Sequence, residues 1–266
     1  MRIHSLCHLF ALLIWLASAT LGICATSSER DLSKFFERHP GCFVLYDAQA
    51  DSYLRYHPKD CAERFTPCST FKIANSLIAL DTGVSSGPEF PLKWDGTVHP
   101  IAPWNHDQTM RTAFSNSVIW YYQEIARRIG PGRMSNYIQR LNFGNCDTSG
   151  GITNFWLESS LRISADEQVA FLRRLWADDL PVSKNAQQTT RELMILSRRD
   201  DGRTLHGKTG TAGDAKADIA SMGWFVGCVT RGDKKFFFAT RITGEPDASG
   251  RLARKITEAI LDNLQI

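Results

Sequence analysis

A chain of 266 residues carrying 31 Lys and Arg against 28 Asp and Glu has room for one large domain or two closely packed ones. Its formal charge of +3 is too balanced to imply nucleic acid or an acidic membrane surface as partner. The expected partner is a small molecule.

The chain starts with a targeting segment. Met1-Arg2 is the positive start, residues 9–16 are apolar, and Ala17-Ser18-Ala19 supplies small residues. That order is a secretory signal peptide, and its apolar run is too short to span a bilayer. Cleavage falls between 19 and 25, leaving a domain over 26–266 with five cysteines: Cys42, Cys61, Cys68, Cys146 and Cys228. Cys24 follows Ile23, a poor fit to the small residue that lipoprotein sites prefer. No second 18-residue apolar stretch follows, so no membrane span is expected in the mature form. A periplasmic or secreted protein, monomer or homodimer, is the expectation. An odd number of cysteines in an oxidising compartment leaves at least one unpaired, and the spacing leaves open whether Cys42 and Cys61 pair. No cysteine pair has zinc-knuckle spacing, and no metal is expected.

Residues 42–46 and 52–56 read as a β-hairpin. From Ser69 the pattern turns helical. Phe71, Ile73, Ala74, Leu77, Ile78 and Leu80 point in nearly every direction, which marks a buried helix, and Gly83 ends it. A second helix is predicted from Ser117 to Ile129, stopped by Gly130-Pro131, and a third over 165–176. Strands return at 205–211, 223–230 and 235–242, and an amphipathic helix covers roughly 251–264. Strands at both ends with helices between predict an α+β fold. One antiparallel sheet would be built from the N- and C-terminal segments, with a helical insertion over about 66–200.

Chemistry concentrates in Ser69-Thr70-Phe71-Lys72. If Ser69 opens the buried helix, residues i and i+3 share a face, and the hydroxyl and amine are neighbours. Unpaired N–H groups and the helix dipole there favour a developing oxyanion. A serine nucleophile needs a base, and an ordinary lysine with a pKa near ~10.4 is protonated at neutral pH. Burial lowers that pKa. A neutral buried amine can act directly or capture CO2 as a carbamate, whose anionic oxygens then need hydrogen-bond donors. Alone, Ser-x-x-Lys is expected about once by chance in a chain this long, as an N-cap serine with a solvated lysine. Two further motifs raise its weight. Ser117-Val118-Ile119 offers a second hydroxyl that could relay a proton. Lys208-Thr209-Gly210 lines one strand edge, where the N–H of Thr211 could donate to an oxyanion. In this order the three motifs are those of serine β-lactamases and penicillin-binding proteins.

At this point the chain resembles the class D β-lactamases, the oxacillinases. The stretches that carry the resemblance are 41–47 (Gly-Cys-Phe-Val-Leu-Tyr-Asp), 67–73 (Pro-Cys-Ser-Thr-Phe-Lys-Ile), 156–164 (Trp-Leu-Glu-Ser-Ser-Leu-Arg-Ile-Ser), 207–210 (Gly-Lys-Thr-Gly) and 223–227 (Gly-Trp-Phe-Val-Gly). The resemblance implies hydrolysis of penicillins, oxacillin-type compounds and some cephalosporins through an acyl-Ser69 intermediate. Lys72, as N6-carboxylysine, would be the base for both acylation and deacylation. It implies no cofactor beyond CO2 or bicarbonate. Ser117 would pass the proton toward the lactam nitrogen, Lys208 and Thr209 would hold the substrate carboxylate, and the N–H groups of Ser69 and Thr211 would form the oxyanion hole. The Trp156 indole would donate to the carbamate, and Trp104 would wall the pocket.

The chain departs from the family pattern in three places. The family's Ser-x-Val reads Ser117-Val118-Ile119, so Ile119 would keep the lysine pocket dry with one methylene more. Tyr-Gly-Asn reads Phe143-Gly144-Asn145, which lacks a hydroxyl. The early arginine of the last helix, which pairs with the substrate carboxylate in many members, has two imperfect candidates in Arg251 and Arg254. Two rivals share the three motifs: a cell-wall transpeptidase, and a β-lactam sensor that is acylated without turnover. The Trp156 stretch favours the oxacillinase, and the compact length and lack of a second apolar span argue against the rivals.

Overall fold

The structure is a computed structural model that describes residues 31–214, 219–244 and 246–266. The signal-peptide reading lies outside the described residues. Strands β1 (Gly41–Asp47), β2 (Ser52–Tyr56), β5 (Ile195–Arg198), β6 (Arg203–Asp214), β7 (Ile219–Arg231) and β8 (Lys234–Thr243) form one six-stranded sheet in the order β2-β1-β8-β7-β6-β5. Every pairing is antiparallel. A β1–β8 ladder joins the two ends of the chain, as the predicted α+β architecture requires. A short ladder of β3 (Pro91–Leu92) and β4 (Gln108–Thr109) stands apart.

The helices between the two sets of strands are more numerous than the periodicity indicated. They are α1 (Pro58–Ala62), α2 (Lys72–Asp81), α3 (Met110–Ser115), α4 (Ile119–Ile129), α5 (Pro131–Leu141), α6 (Ala165–Trp176) and α7 (Lys184–Leu193). Helix α8 (Gly250–Asn263) closes the chain. Gly130-Pro131, predicted as a stop, is also a start: Gly130 at φ 83° turns the chain and Pro131 opens α5 as its first residue. Helix α6 begins on a capping box in which Ser164 and Glu167 satisfy each other's backbone N–H groups.

The sheet separates two apolar cores. On one face Val44, Trp224, Val226 and Ala239 pack with α2, α4, α5 and α6 around Phe71, Tyr122 and Trp156. On the other face Phe43, Leu45, Phe225 and Phe238 pack under α8 through Ala253, Ile256 and Ile260. Alternation along the strands thus assigns each residue to a face. Lys208, opposite Val226, faces the helical side, whereas Thr209, opposite Phe225, faces α8.

Two glycines define what this packing tolerates. A Cβ at Gly223 would collide with the backbone of Ser249 and Gly250, where α8 docks on β7. A Cβ at Gly132, near the start of α5, meets nothing within 4 Å. Gly223→Ala is expected to destabilise the fold by about 2 kcal/mol or more. Gly132→Ala should stabilise it by about 0.5–1 kcal/mol through helix propensity and a less flexible unfolded chain. Thermal melts of the two variants check this, and equal melting temperatures would contradict the close docking of α8.

Candidate active site

The Ser69 region is a tight turn pinned from three sides. Residues Cys68–Phe71 form a 3-10 turn that runs directly into α2, so Ser69 lies one turn ahead of the α-helix rather than within it. Thr70 donates its hydroxyl to the Pro67 carbonyl at 2.8 Å and accepts from Gln168 Nε2 of α6 at 2.9 Å. Just upstream, Thr66 ties three segments together. Its hydroxyl donates to the Trp156 carbonyl (3.0 Å) and accepts from the Glu158 N–H (3.1 Å), and its carbonyl accepts from the Trp224 indole of β7 (2.9 Å).

Within this turn the Lys72 Nζ donates to the Ser69 Oγ at 2.8 Å. Lys72 is fully buried while Ser69 stays half-exposed, so the hydroxyl faces the solvent side of a dry amine. Burial holds the Lys72 amine far below the ordinary lysine pKa, and the nearby charge of Lys208 lowers it further. Beneath it lies the Tyr122 ring, 5.5 Å from Nζ, whose hydroxyl pairs with Ser76 at 2.7 Å. Trp156 stacks on Phe71 with ring centroids 5.3 Å apart. Its indole Nε1 is buried and is among the side-chain atoms without a hydrogen-bond partner. A buried donor left unpaired costs roughly 1–3 kcal/mol, so an acceptor there is favoured. This orphaned N–H, on a ring stacked against the residue before a buried lysine whose charged form is disfavoured, fits a lysine carbamate.

The second hydroxyl arrives differently from the sequence reading. Ser117 is not the N-cap of the next helix. It sits between α3 and α4 in a left-handed conformation (φ 58°), and Val118 occupies the cap position without a side-chain cap. This bend turns Ser117 toward β6, where the Lys208 Nζ donates to its Oγ at 3.0 Å and to the Thr209 carbonyl at 3.0 Å. Lys208 is also buried, and desolvation brings its pKa from 10.5 down to about 7. In the same turn Val118 is fully buried, while Ile119 is half-exposed as the first residue of α4. Trp104 is half-buried, and its indole donates to the Asn116 carbonyl at 2.9 Å, next to Ser117.

Strand β6 passes the nucleophile turn along an uncovered edge. Its outer neighbour β5 pairs only as far as His206, and the Gly207 N–H then points outward to the Met194 carbonyl at 2.8 Å. Strand N–H groups return to the same side every second residue, so those of Thr209 and Thr211 also point outward. Gly210 keeps this edge close. A Cβ there would stand 3.0 Å from the Pro67 carbonyl and 3.4 Å from the Cys68 Cβ. The Ser69 and Thr211 N–H groups therefore belong to two segments in contact, which is the requirement for an oxyanion hole.

Thr209 is half-buried on the α8 side, and Thr211 accepts from the Gly250 N–H at 2.9 Å. The structure does not bring Arg254 to the cluster. Its guanidinium is bound by Glu258 at 2.8 Å and lies 5.9 Å from the Phe225 ring centroid, on the face opposite Lys208. Arg251 is exposed. Phe143 occupies the aromatic core, edge-on to Phe71 at 5.8 Å and to Phe171 at 5.0 Å, where a phenol oxygen would be buried. Thr66, Gln168, Glu158 and Val118 were not found from sequence. Each acts through a contact with a residue distant in the chain, except Val118, which sat unremarked inside the Ser-x-Ile motif. Among the described residues, no group of three or more His, Cys, Asp or Glu could hold a metal, and no helix is long and apolar enough to cross a membrane.

The family model of the penicillin-binding-protein transpeptidase domain matches residues 41–262. The chain is 35% identical over 259 residues to beta-lactamase OXA-48 of Klebsiella pneumoniae, covering 95% of this chain and 96% of that one. It is 36% identical over 237 residues to the regulatory protein BlaR1 of Bacillus licheniformis, covering 87% of this chain but only 38% of that longer protein. Among solved structures, class D beta-lactamase BAT-2 superposes with a TM-score of 0.83 at 40% identity, covering 89% of this chain and 96% of that one.

Lys208 links this site to stability. In the unfolded chain it would be protonated up to about pH 10.4, but in the fold it loses its proton near pH 7. Between those values the unfolded state holds the extra proton, so wild-type stability should rise with pH. Lys208→Met removes this slope. Denaturant melts from pH 7 to 10 should show wild type gaining on the variant, and parallel curves would mean that Lys208 is not desolvated.

Proposed function

The chain belongs to the class D serine β-lactamases and hydrolyses β-lactam antibiotics, and we propose that Ser69 is its acylated nucleophile and Lys72 its base. The observation that carries this reading is the 2.8 Å bond from a fully buried Lys72 amine to a half-exposed Ser69 hydroxyl. Carbon dioxide held on Lys72 as a carbamate would supply an anionic oxygen base in place of the amine. Trp156, with its unpaired indole N–H, would hold that anion in place.

In acylation the Ser69 hydroxyl gives its proton to the Lys72 side and its oxygen bonds to the lactam carbonyl carbon. The outward N–H groups of Ser69 and Thr211 stabilise the oxyanion. The lactam C–N bond then breaks, and the nitrogen takes a proton from the Ser117 hydroxyl, which Lys208 donates to and can reprotonate. Once the Lys72 side has passed the Ser69 proton on toward Lys208, it takes a proton from water, which attacks the ester, and gives that proton to the departing Ser69 oxygen. Lys208 and Thr209 hold the substrate carboxylate, with Trp104 as a wall of the pocket and Ile119 at its rim. Arg254 would have to leave Glu258 to contribute. Arg254→Ala is therefore expected to lower kcat/KM less than Thr209→Val does. The chain would act after export, in the periplasm or outside the cell.

Likeness to BlaR1 raises a second reading, a receptor that is acylated and does not turn over. Hydrolysis of a chromogenic cephalosporin separates the two, and many turnovers per Ser69 are expected. Dilute, acidified enzyme should regain activity when bicarbonate is added. Lys72→Ala should lose roughly 10²–10⁴-fold in kcat, and Trp156→Phe should need more bicarbonate for half-maximal rate. Undiminished activity in CO2-free buffer, or a single turnover only, would reject the mechanism.

A further inference from the structure

Two of the five described cysteines meet in the core, away from the catalytic cluster. Cys42 is on β1 and Cys61 on α1; both are wholly buried and belong to the same apolar core. The Cys61 thiol reaches the Tyr56 carbonyl at 3.2 Å and the Phe43 carbonyl at 3.5 Å, and Phe43 is the residue after Cys42. Both thiols are free in the structure, and the Cys61 sulfur thus stands 3.5 Å from the carbonyl of the residue joined to Cys42. The other three lie elsewhere. Cys68 adjoins Ser69, Cys146 is half-buried after α5, and Cys228 is on β7 opposite Phe237.

A buried cation sits beside this pair. Arg241 is the register partner of Cys42 on β8, so the two side chains share a face and are close neighbours. Arg241 is 4% exposed, and its guanidinium stacks over Phe65 at 3.7 Å. Its Nη2 has only a long contact to the Asp60 carbonyl (3.5 Å), and its Nε is buried without a partner. A buried guanidinium with so few acceptors favours an anion next to it. The neighbouring Cys61 thiol does most to hold the Cys42 thiol below its ordinary pKa; burial opposes this, and the Arg241 charge adds more to the lowering than the Asp60 carboxylate takes away.

We propose that Cys42 and Cys61 are a disulfide-forming pair, with Arg241 placed to make Cys42 the attacking thiolate. The Cys42 thiolate attacks one sulfur of a small disulfide of the oxidised-glutathione class, and one thiol leaves. Cys61, giving up its proton, then attacks the Cys42 sulfur of the mixed disulfide and expels the second thiol. Two protein thiols lose two electrons and two protons, and one external disulfide becomes two thiols. Burial of both sulfurs directs the reaction to the folding chain, before α1 closes on β1. The bond would fix α1 to β1 and so anchor the start of the segment that continues through Thr66 to Ser69.

The test is peptide mapping of the full chain after refolding with oxidised glutathione, alkylation and tryptic digestion without reductant. Peptide 39–55 should appear linked to peptide 60–64 and separate on reduction. The oxidised protein should melt roughly 5 °C or more above the reduced one. A Cys42→Ala, Cys61→Ala double variant should melt alike with and without oxidant. Arg241→Met should slow closure severalfold at neutral pH, and Arg241→Lys should restore part of the rate. Alkylated Cys42 and Cys61 after oxidative refolding, or a link from either to another cysteine, would overturn the pairing. Unchanged closure in Arg241→Met would overturn the role of Arg241.

Discussion

The site depends on keeping two lysines out of water within reach of two hydroxyls. In water both amines would carry a charge and neither could accept a proton. Inside the protein, desolvation works against the ammonium form of each, and the charge of Lys208 further disfavours that of Lys72. Lys72 bears the larger effect because it faces the side chains of α2, α4 and the Trp156 segment. Lys208 has two oxygen partners, Ser117 and the Thr209 carbonyl, and desolvation brings its pKa down to about 7, where it can either hold or give up a proton. Both amines are buried, and what further sets Lys72 apart is the added repulsion from Lys208; on the proposed mechanism one would act as base and the other as proton shuttle.

Keeping such a pocket dry and still reachable calls for an unusual sheet edge. Were β5 as long as β6, it would cover the N–H groups of Thr209 and Thr211, and no oxyanion could reach them. Because β5 stops opposite His206, the nucleophile turn takes the place of a strand along the rest of β6. Gly210 lets the two segments close to contact distance. The same strand is held at its far end by Glu158, which accepts from the Gly213 N–H at 2.9 Å. Through Thr66, Glu158 also belongs to the loop that presents Trp156. The proposed donor for the base and the proposed donors for the oxyanion are thus parts of one braced frame.

Much of this was legible in the residues and part was not. The antiparallel sheet, the buried helix after Ser69 and the three motifs were readable because periodicity and spacing are local properties. Helices α5 and α7 were missed. Gly130-Pro131 reads equally as an end and a beginning, and α7 is so polar that its pattern hardly stands out from a loop. The position of Ser117 was misjudged for a related reason. A serine at the head of an apolar run reads as the start of the helix, and no pattern announces that it will adopt a left-handed backbone. The knot at Thr66 depends on contacts across about ninety residues or more, which composition and period do not encode.

The strain at both hydroxyl-bearing turns shows how the site is assembled. Cys68 and Ser117 have φ of 48° and 58°, conformations that glycine would adopt at less cost. Neither position is glycine. Cys68 needs its side chain, which packs wholly buried beneath β6 beside Gly210. Ser117 needs its hydroxyl, since that is the group Lys208 meets. Such non-glycine residues cost of order 1 kcal/mol or more each and persist only where the surroundings over-determine them. Here the surroundings are Thr70 and Pro67 on one side and the α3–α4 corner on the other. The backbone rather than a flexible side chain therefore sets the direction of both hydroxyls. On the proposed mechanism they would be held in place before a substrate arrives, with little ordering left to be done during the reaction.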